Sequence, residues 1–162
     1  MKSGVKMTKD GLKGMLKTLM ELPVQSVLVG IPAENGEREA GDPMTNAALG
    51  YINENGSPAL NIPARPWLVP GIRDAQKKIT GYLKQAGQYA FNGDQAGIER
   101  ALNAAGLAGQ TAAKAKINTG PFQALAEATL AARRRRGRTG EKPLIDTGQM
   151  RNSVTYVIRG KP

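Results

Sequence analysis

The chain has 162 residues, with 23 Lys or Arg against 13 Asp or Glu, so its formal net charge at pH 7 is +10. It contains no His and no Cys, which excludes disulfides, thiol nucleophiles, Ser–His–Asp triads and the usual zinc sites. We therefore expect a non-enzymatic protein with no catalytic residue, no metal and no cofactor.

The charge predicts a polyanionic partner, which could be nucleic acid, an acidic membrane surface or an acidic protein; simple solvation of the surface is the alternative. Aromatic residues make up only 4% of the chain, which argues against a surface that stacks single-stranded bases. The longest uncharged run covers residues 101–113 and is too short to cross a membrane. We expect one domain, residues 1–162, without a membrane partner.

The N-terminal segment, residues 1–22, is basic and periodic. Apolar residues at three- and four-residue steps predict an amphipathic helix over residues 8–21. Its lysines, including Lys6 and Lys13, would form a basic stripe, for which a solvated helix face is the alternative. Lysines also interrupt any apolar region of a signal peptide, so we expect synthesis in the cytoplasm.

A strand and a helix are predicted next. β-Branched residues alternate over residues 24–31 and indicate a strand. Residues 33–43 contain four acidic residues and one Arg, which is typical of an exposed acidic loop. A short helix is expected over residues 45–53.

Residues 55–71 include four prolines within thirteen positions. Repeatedly fixed φ angles predict a stiff ordered loop without a regular helix. We consider Ile62, Arg65 and Trp67 to be candidates for docking a partner. For Trp67, the alternative is that it fixes the loop to the core of its own domain.

Three longer helices are predicted over residues 71–91, 94–117 and 121–135. The chain closes with a predicted strand over residues 153–159. The fold class is therefore α+β, with a small antiparallel sheet that includes both predicted strands. Because two strands alone are marginal in water, either further strands lie in the loops or neighbouring copies complete the sheet.

An arginine cluster forms the second basic region, within a predicted Arg-rich loop over residues 133–142. Its members are Arg133, Arg134, Arg135, Arg136 and Arg138. They could bind phosphates without reading sequence, or meet an acidic patch such as residues 33–43 of a neighbouring copy. A solvated loop is the third interpretation.

The triplet Asp146-Thr147-Gly148 has the form of an aspartic-protease active site. Only fourteen residues follow it, too few for the remainder of such an enzyme. We predict a structural turn instead, in which Asp146 accepts backbone N–H groups before a helical turn at residues 149–151.

Three segments in order resemble the tail-completion and neck proteins of tailed bacteriophages. The first is the predicted strand Val27-Leu28-Val29-Gly30-Ile31. The second is Tyr51-Ile52-Asn53-Glu54-Asn55-Gly56-Ser57-Pro58 followed by Ile62-Pro63-Ala64-Arg65-Pro66-Trp67-Leu68. The third runs from Lys142 to Ser153 and reads Lys-Pro-Leu-Ile-Asp-Thr-Gly-Gln-Met-Arg-Asn-Ser.

The resemblance implies a non-enzymatic virion component, assembled in the bacterial host cytoplasm, that forms a homo-oligomeric ring at the head–tail joint. The ring would be a hexamer or, alternatively, a dodecamer. Its partners would be portal or connector proteins on one side and the tail tube or tail terminator on the other. Double-stranded DNA would pass through its lumen. The alternative is a non-specific DNA-binding protein that uses the basic N-terminal helix and the arginine cluster.

Overall fold

The computed structural model describes residues 14, 16, 17, 25–33 and 44–160. Between residues 44 and 160 the chain forms six α-helices, α1 (Asn46–Asn55), α2 (Leu68–Asp74), α3 (Gln76–Phe91), α4 (Gln95–Thr119), α5 (Glu127–Arg135) and α6 (Gln149–Ser153), with a short 3-10 helix at Pro58–Leu60. The strands are β1 (Gln25–Gly30) and β2 (Thr155–Gly160). The predicted α+β class is confirmed.

Helix α4 is the central element, and it contacts α2, α3, α6 and both strands. Asp94 caps its start, where its carboxylate accepts the Gly97 N–H at 2.8 Å. The buried side of the helix consists largely of alanine and glycine, which lets neighbouring elements approach its backbone closely. The ring of Tyr156 occupies the space that a side chain at position 106 would need.

The two strands pair antiparallel, with Val27 opposite Ile158 and Val29 opposite Tyr156. These four residues share the face that packs toward α3 and α4. The opposite face presents Leu28, which is 46% exposed. Within the described residues no third strand joins either edge.

Two apolar clusters hold the elements together. The first joins Trp67 to the end of α4 and to residues near the C-terminus, and its buried members are Trp67, Ala113, Ile117, Leu144, Met150 and Val154. The second lies between α3, α4 and the sheet, and its buried members are Ala86, Ala90, Ile98, Ala101 and Leu102.

The proline-rich segment is more regular than predicted. Helix α2 begins at Leu68, inside the range that we expected to contain no helix. Pro70 is tolerated because it is the third residue of α2, where a backbone N–H has no partner within the helix.

The predicted helix over residues 71–91 is divided into α2 and α3, which meet at Ala75. Gly71 brings the backbone of α2 against that of α4 at Ala112 and Ala113. The chain then bends at Ala75 and lays α3 along α4.

The helix expected from residue 121 starts six residues later, at Glu127. The intervening residues 121–126 form no helix, because the carbonyl groups of Gln123 and Ala124 accept hydrogen bonds from Arg65, as described below. Arg133, Arg134 and Arg135 belong to the last turn of α5. The predicted helix end at residue 135 is therefore confirmed, and the predicted Arg-rich loop over residues 133–142 begins only after that turn.

Two predicted features lie largely outside the described residues. Of the expected helix over residues 8–21, positions 14, 16 and 17 are described and are helical. The acidic loop over residues 33–43 is outside the described part of the chain except for Ala33.

Candidate interaction surfaces

Glu54 joins the end of α1 to the start of α2. The backbone N–H groups of Trp67, Leu68 and Val69 donate to its carboxylate at 2.6, 2.8 and 3.0 Å. These donors are free because the first turn of a helix leaves its N–H groups without partners, and a negative charge at this end is favourable. Sequence reasoning missed this Glu54 clamp, because Glu54 belongs to α1 and lies well before Leu68, the first residue of α2, in the sequence.

Trp67, a predicted docking residue, is a core residue. Its side chain is 2% exposed, and its indole N–H donates to the Gly50 carbonyl at 3.2 Å. This position agrees with the alternative interpretation from the sequence, in which Trp67 fixes the loop to the core of its own domain. Ile62 is half-buried.

Arg65 is buried as well, at 6% exposure, so it does not offer a docking contact. Its guanidinium donates to the carbonyls of Gln123 and Ala124 at 2.9 and 3.2 Å. Burial lowers the pKa of this guanidinium from its ordinary value, yet arginine stays charged at neutral pH. The contacts hold residues 123 and 124 outside the helix predicted from residue 121.

Arg133 is the buried member of the arginine cluster, at 5% exposure. Its guanidinium donates to the carbonyls of Gly140, Lys142 and Ile145 at 2.7, 3.0 and 3.1 Å. Its Nε lies 3.5 Å from an Asp146 carboxylate oxygen. The expectation that Arg133 faces DNA or a partner is therefore wrong. Its guanidinium lies inside the loop over residues 136–145 and holds that loop closed through these hydrogen bonds.

The turn at residues 146–148 has a different chemistry from the one predicted. Asp146 is engaged by arginines, since Arg138 Nη1 donates to its Oδ2 at 2.7 Å. Thr147 Oγ1, at 3.4 Å, accepts the Gln149 N–H. Gly148 adopts a left-handed conformation with φ of 80° and precedes α6, which is a place where glycine is favoured.

The remaining arginines of the cluster differ in their availability. Arg134, Arg135 and Arg136 are exposed. Arg134 pairs with Glu127 at 2.8 Å, whereas Arg138 is partly buried by its contact with Asp146. Three of the five predicted arginines thus lie on the surface. Lys6 and Lys13 lie outside the described residues.

A groove separates the proline-rich loop from residues 123–126. It consists of two adjoining cavities of about 490 and 380 Å³ that share Asn61, Ile62, Pro63, Arg65, Leu125 and Ala126 in their walls. The larger cavity is lined by loop residues, and the smaller one extends to the turn at residues 146–148. Two of the charged groups in the walls, the guanidinium groups of Arg65 and Arg133, already donate to carbonyl groups of the protein itself.

The described part of the chain contains no group of three or more acidic side chains that could hold a metal ion. No helix among the described residues is both long and apolar enough to cross a bilayer. No protein-family model, curated protein or solved structure matches the chain.

Proposed function

We propose that this chain is a structural component of a tailed-phage virion that forms a ring at the head–tail joint. It would link the portal or connector to the tail tube and leave a passage for DNA. The observation that carries the proposal is that the three segments on which the resemblance rests are neighbours in space. β1 of the first segment pairs with β2, directly after the third.

The second and third segments also contact each other. Trp67 packs in one cluster with Leu144 and Met150. The Asn53 side-chain amide lies 3.7 Å from Met150 Sδ. The resembling residues thus build one structural unit, and several of them are buried. Under this proposal they maintain the protomer, and other surfaces make the joint.

The open sheet supports assembly into a ring. Two strands alone are marginal, and an edge without charge or proline can accept a further strand. β1 has the sequence Gln-Ser-Val-Leu-Val-Gly and contains neither. In a closed ring, each copy could continue the sheet of its neighbour, because head-to-tail contacts close into rings.

The test is genetic and structural. In the phage whose genome encodes the chain, a nonsense mutation in its gene should give DNA-filled heads and separate tails. A suppressor host, or the protein supplied from a plasmid, should restore joined particles. Electron microscopy shows the joining, and mass spectrometry of purified particles detects the chain. Joined, infectious particles that lack the chain would refute the proposal.

A non-specific DNA-binding protein is the second candidate, and one observation favours it. Arg135 and Arg136 are exposed, and neither belongs to an ion pair within the described residues. This candidate predicts salt-dependent duplex binding in a protein that is absent from virions. Arg135→Gln with Arg136→Gln should then abolish most of that binding.

A further inference from the structure

The exposed face of α3 and the end of α2 form a cationic surface that the sequence motifs do not include. Arg73, Lys77 and Lys84 line one shallow, open concavity of about 650 Å³, together with Asp74, Gln76, Thr80 and Gly81. On α3, positions 77, 80 and 84 recur at three- and four-residue steps and therefore share one side of the helix. The other side, with Ala86 and Ala90, packs in the core.

Among the described residues the positive charge of this surface is only partly neutralised, because three cationic side chains and one carboxylate, that of Asp74, line the concavity. Residues 75–93 contain three lysines and no acidic residue. Asp74, the acid next to Arg73, is bound to Lys116 of α4 at 2.9 Å. Arg73, Lys77 and Lys84 are all exposed. Their ammonium and guanidinium groups are therefore available to an external anion.

Gly81 lies between these cations, and in the described part of the chain a Cβ at this position would meet no atom within 4 Å. None of the described residues therefore requires a glycine there. In the middle of a helix, glycine costs roughly 1 kcal/mol relative to alanine. Its absent side chain lets a ligand approach the helix backbone between Lys77 and Lys84.

We infer that this concave cationic face of α2 and α3 binds the phosphate backbone of duplex DNA without reading its sequence. Among the described residues that line the concavity none is apolar or aromatic. Protein partners usually need apolar or aromatic anchors at the centre of an interface, and single-stranded bases need stacking platforms. A duplex backbone needs only cations and close approach.

The face has a suitable length for this contact. Lys77 and Lys84 are seven residues apart on α3, which corresponds to about 10 Å along the helix axis. That distance is the axial rise of about three phosphates in one DNA strand. The inference goes beyond the proposed function, because a virion component at the joint can act without binding DNA.

Fluorescence anisotropy with a labelled duplex of arbitrary sequence, titrated with the whole protein at about 50 to 200 mM salt, tests the inference. Each lost phosphate contact reduces the slope of log affinity against log salt by about 0.9. We expect Lys77→Gln with Lys84→Gln to reduce the slope by about 2. Lys78→Gln is the control, because it removes one positive charge, half of that removed by the double variant, from a neighbouring position outside the concavity.

Gly81→Leu provides a second measurement that keeps every charge. It should weaken binding by blocking close approach, while circular dichroism and thermal unfolding show an intact fold. These substitutions are on the surface, so folding should survive them. Weaker binding by both variants, with Lys78→Gln unchanged, supports the inference.

Four results would overturn it. They are an unchanged salt slope for Lys77→Gln with Lys84→Gln, an equal loss for Lys78→Gln, a loss confined to Arg135→Gln with Arg136→Gln, and tighter binding to polyglutamate than to duplex DNA. If DNA binding fails while the chain is still required for joined virions, only this inference is wrong. If the protein binds DNA as expected but joined virions form without the chain, only the proposed function is wrong.

Discussion

Replacing Arg133 by alanine should strongly destabilise the fold, although its three sequence neighbours are also arginines. The substitution removes the donor for three carbonyl groups, at 2.7, 3.0 and 3.1 Å, and one partner of Asp146. The side chain of Arg133 is only 6% exposed. Water therefore has little access to replace the guanidinium unless the loop over residues 136–145 opens.

The magnitude follows from these contacts. A hydrogen bond from a charged donor contributes about 1.5–3 kcal/mol, but bonds within one network do not add. Gly140 and Lys142 are exposed residues, so their carbonyls can recover part of the loss by binding water. Asp146 keeps its contact with Arg138 at 2.7 Å. We expect Arg133→Ala to lower the free energy of unfolding by about 3–4 kcal/mol, or about 10 °C in Tm for a chain of this size.

Arg134→Ala is the matched control. Arg134 is exposed, and its ion pair with Glu127 involves two side chains that are more than half exposed. Its loss should cost about 0–1 kcal/mol. Urea unfolding followed by circular dichroism measures both variants.

Arg133→Lys keeps the charge but not the planar fork, so it should fall between wild type and Arg133→Ala. If Arg133→Ala does not fold, the stability of Arg133→Lys relative to wild type tests the role of Arg133. Limited trypsin digestion should then cut residues 134–142 faster than in wild type. Equal stability of Arg133→Ala and Arg134→Ala would refute the role of Arg133 as an internal anchor.

Two further substitutions test the helix contacts. Glu54→Gln weakens the charge-assisted hydrogen bonds at the start of α2 and should lower the free energy of chemical unfolding by about 1–2 kcal/mol. Glu99→Gln, at an exposed position, should have almost no effect. Equal losses of stability in the two variants would contradict the Glu54 clamp. Gly106→Ala should destabilise the fold by about 1–3 kcal/mol despite better helix propensity, because its Cβ would overlap the Tyr156 ring. Gly81→Ala should instead raise the Tm, and a lower Tm would show that its Cβ is not in open space.

The sequence predicted the elements whose signals are local. Alternation of apolar residues located both strands, and Thr45 caps α1 by accepting the Ala48 N–H at 3.1 Å, close to the predicted start. The ends of α4 agree with the prediction within about two residues because Asp94 is a local cap. By contrast, Pro121 suggested a helix start that Arg65 prevents, and these two residues are far apart in the chain.

The candidate site was less accessible to sequence reasoning. In a run of four arginines, Arg133 differs from its neighbours only in its position on a helix. Arg133 follows Leu130 by three residues, so the helix predicted over residues 121–135 places the two on one side, but no local signal shows which carbonyl groups that side meets. The cations of α3 could have been found from the acid-free stretch over residues 75–93. Positions 73, 77 and 84 also share one side of the single helix predicted over residues 71–91, so the sequence by itself groups Arg73 with these lysines.

By itself, the sequence determined the charge surplus, the lack of His and Cys, the α+β class and the order of the segments that resemble phage neck proteins. The tertiary structure decided which charged groups are available to a partner. Arg65 and Arg133 are bonded to carbonyls up to 59 positions away, whereas Arg73, Lys77 and Lys84 remain exposed. Burial of a long side chain depends on what the rest of the chain places around it, and no local pattern contains that information.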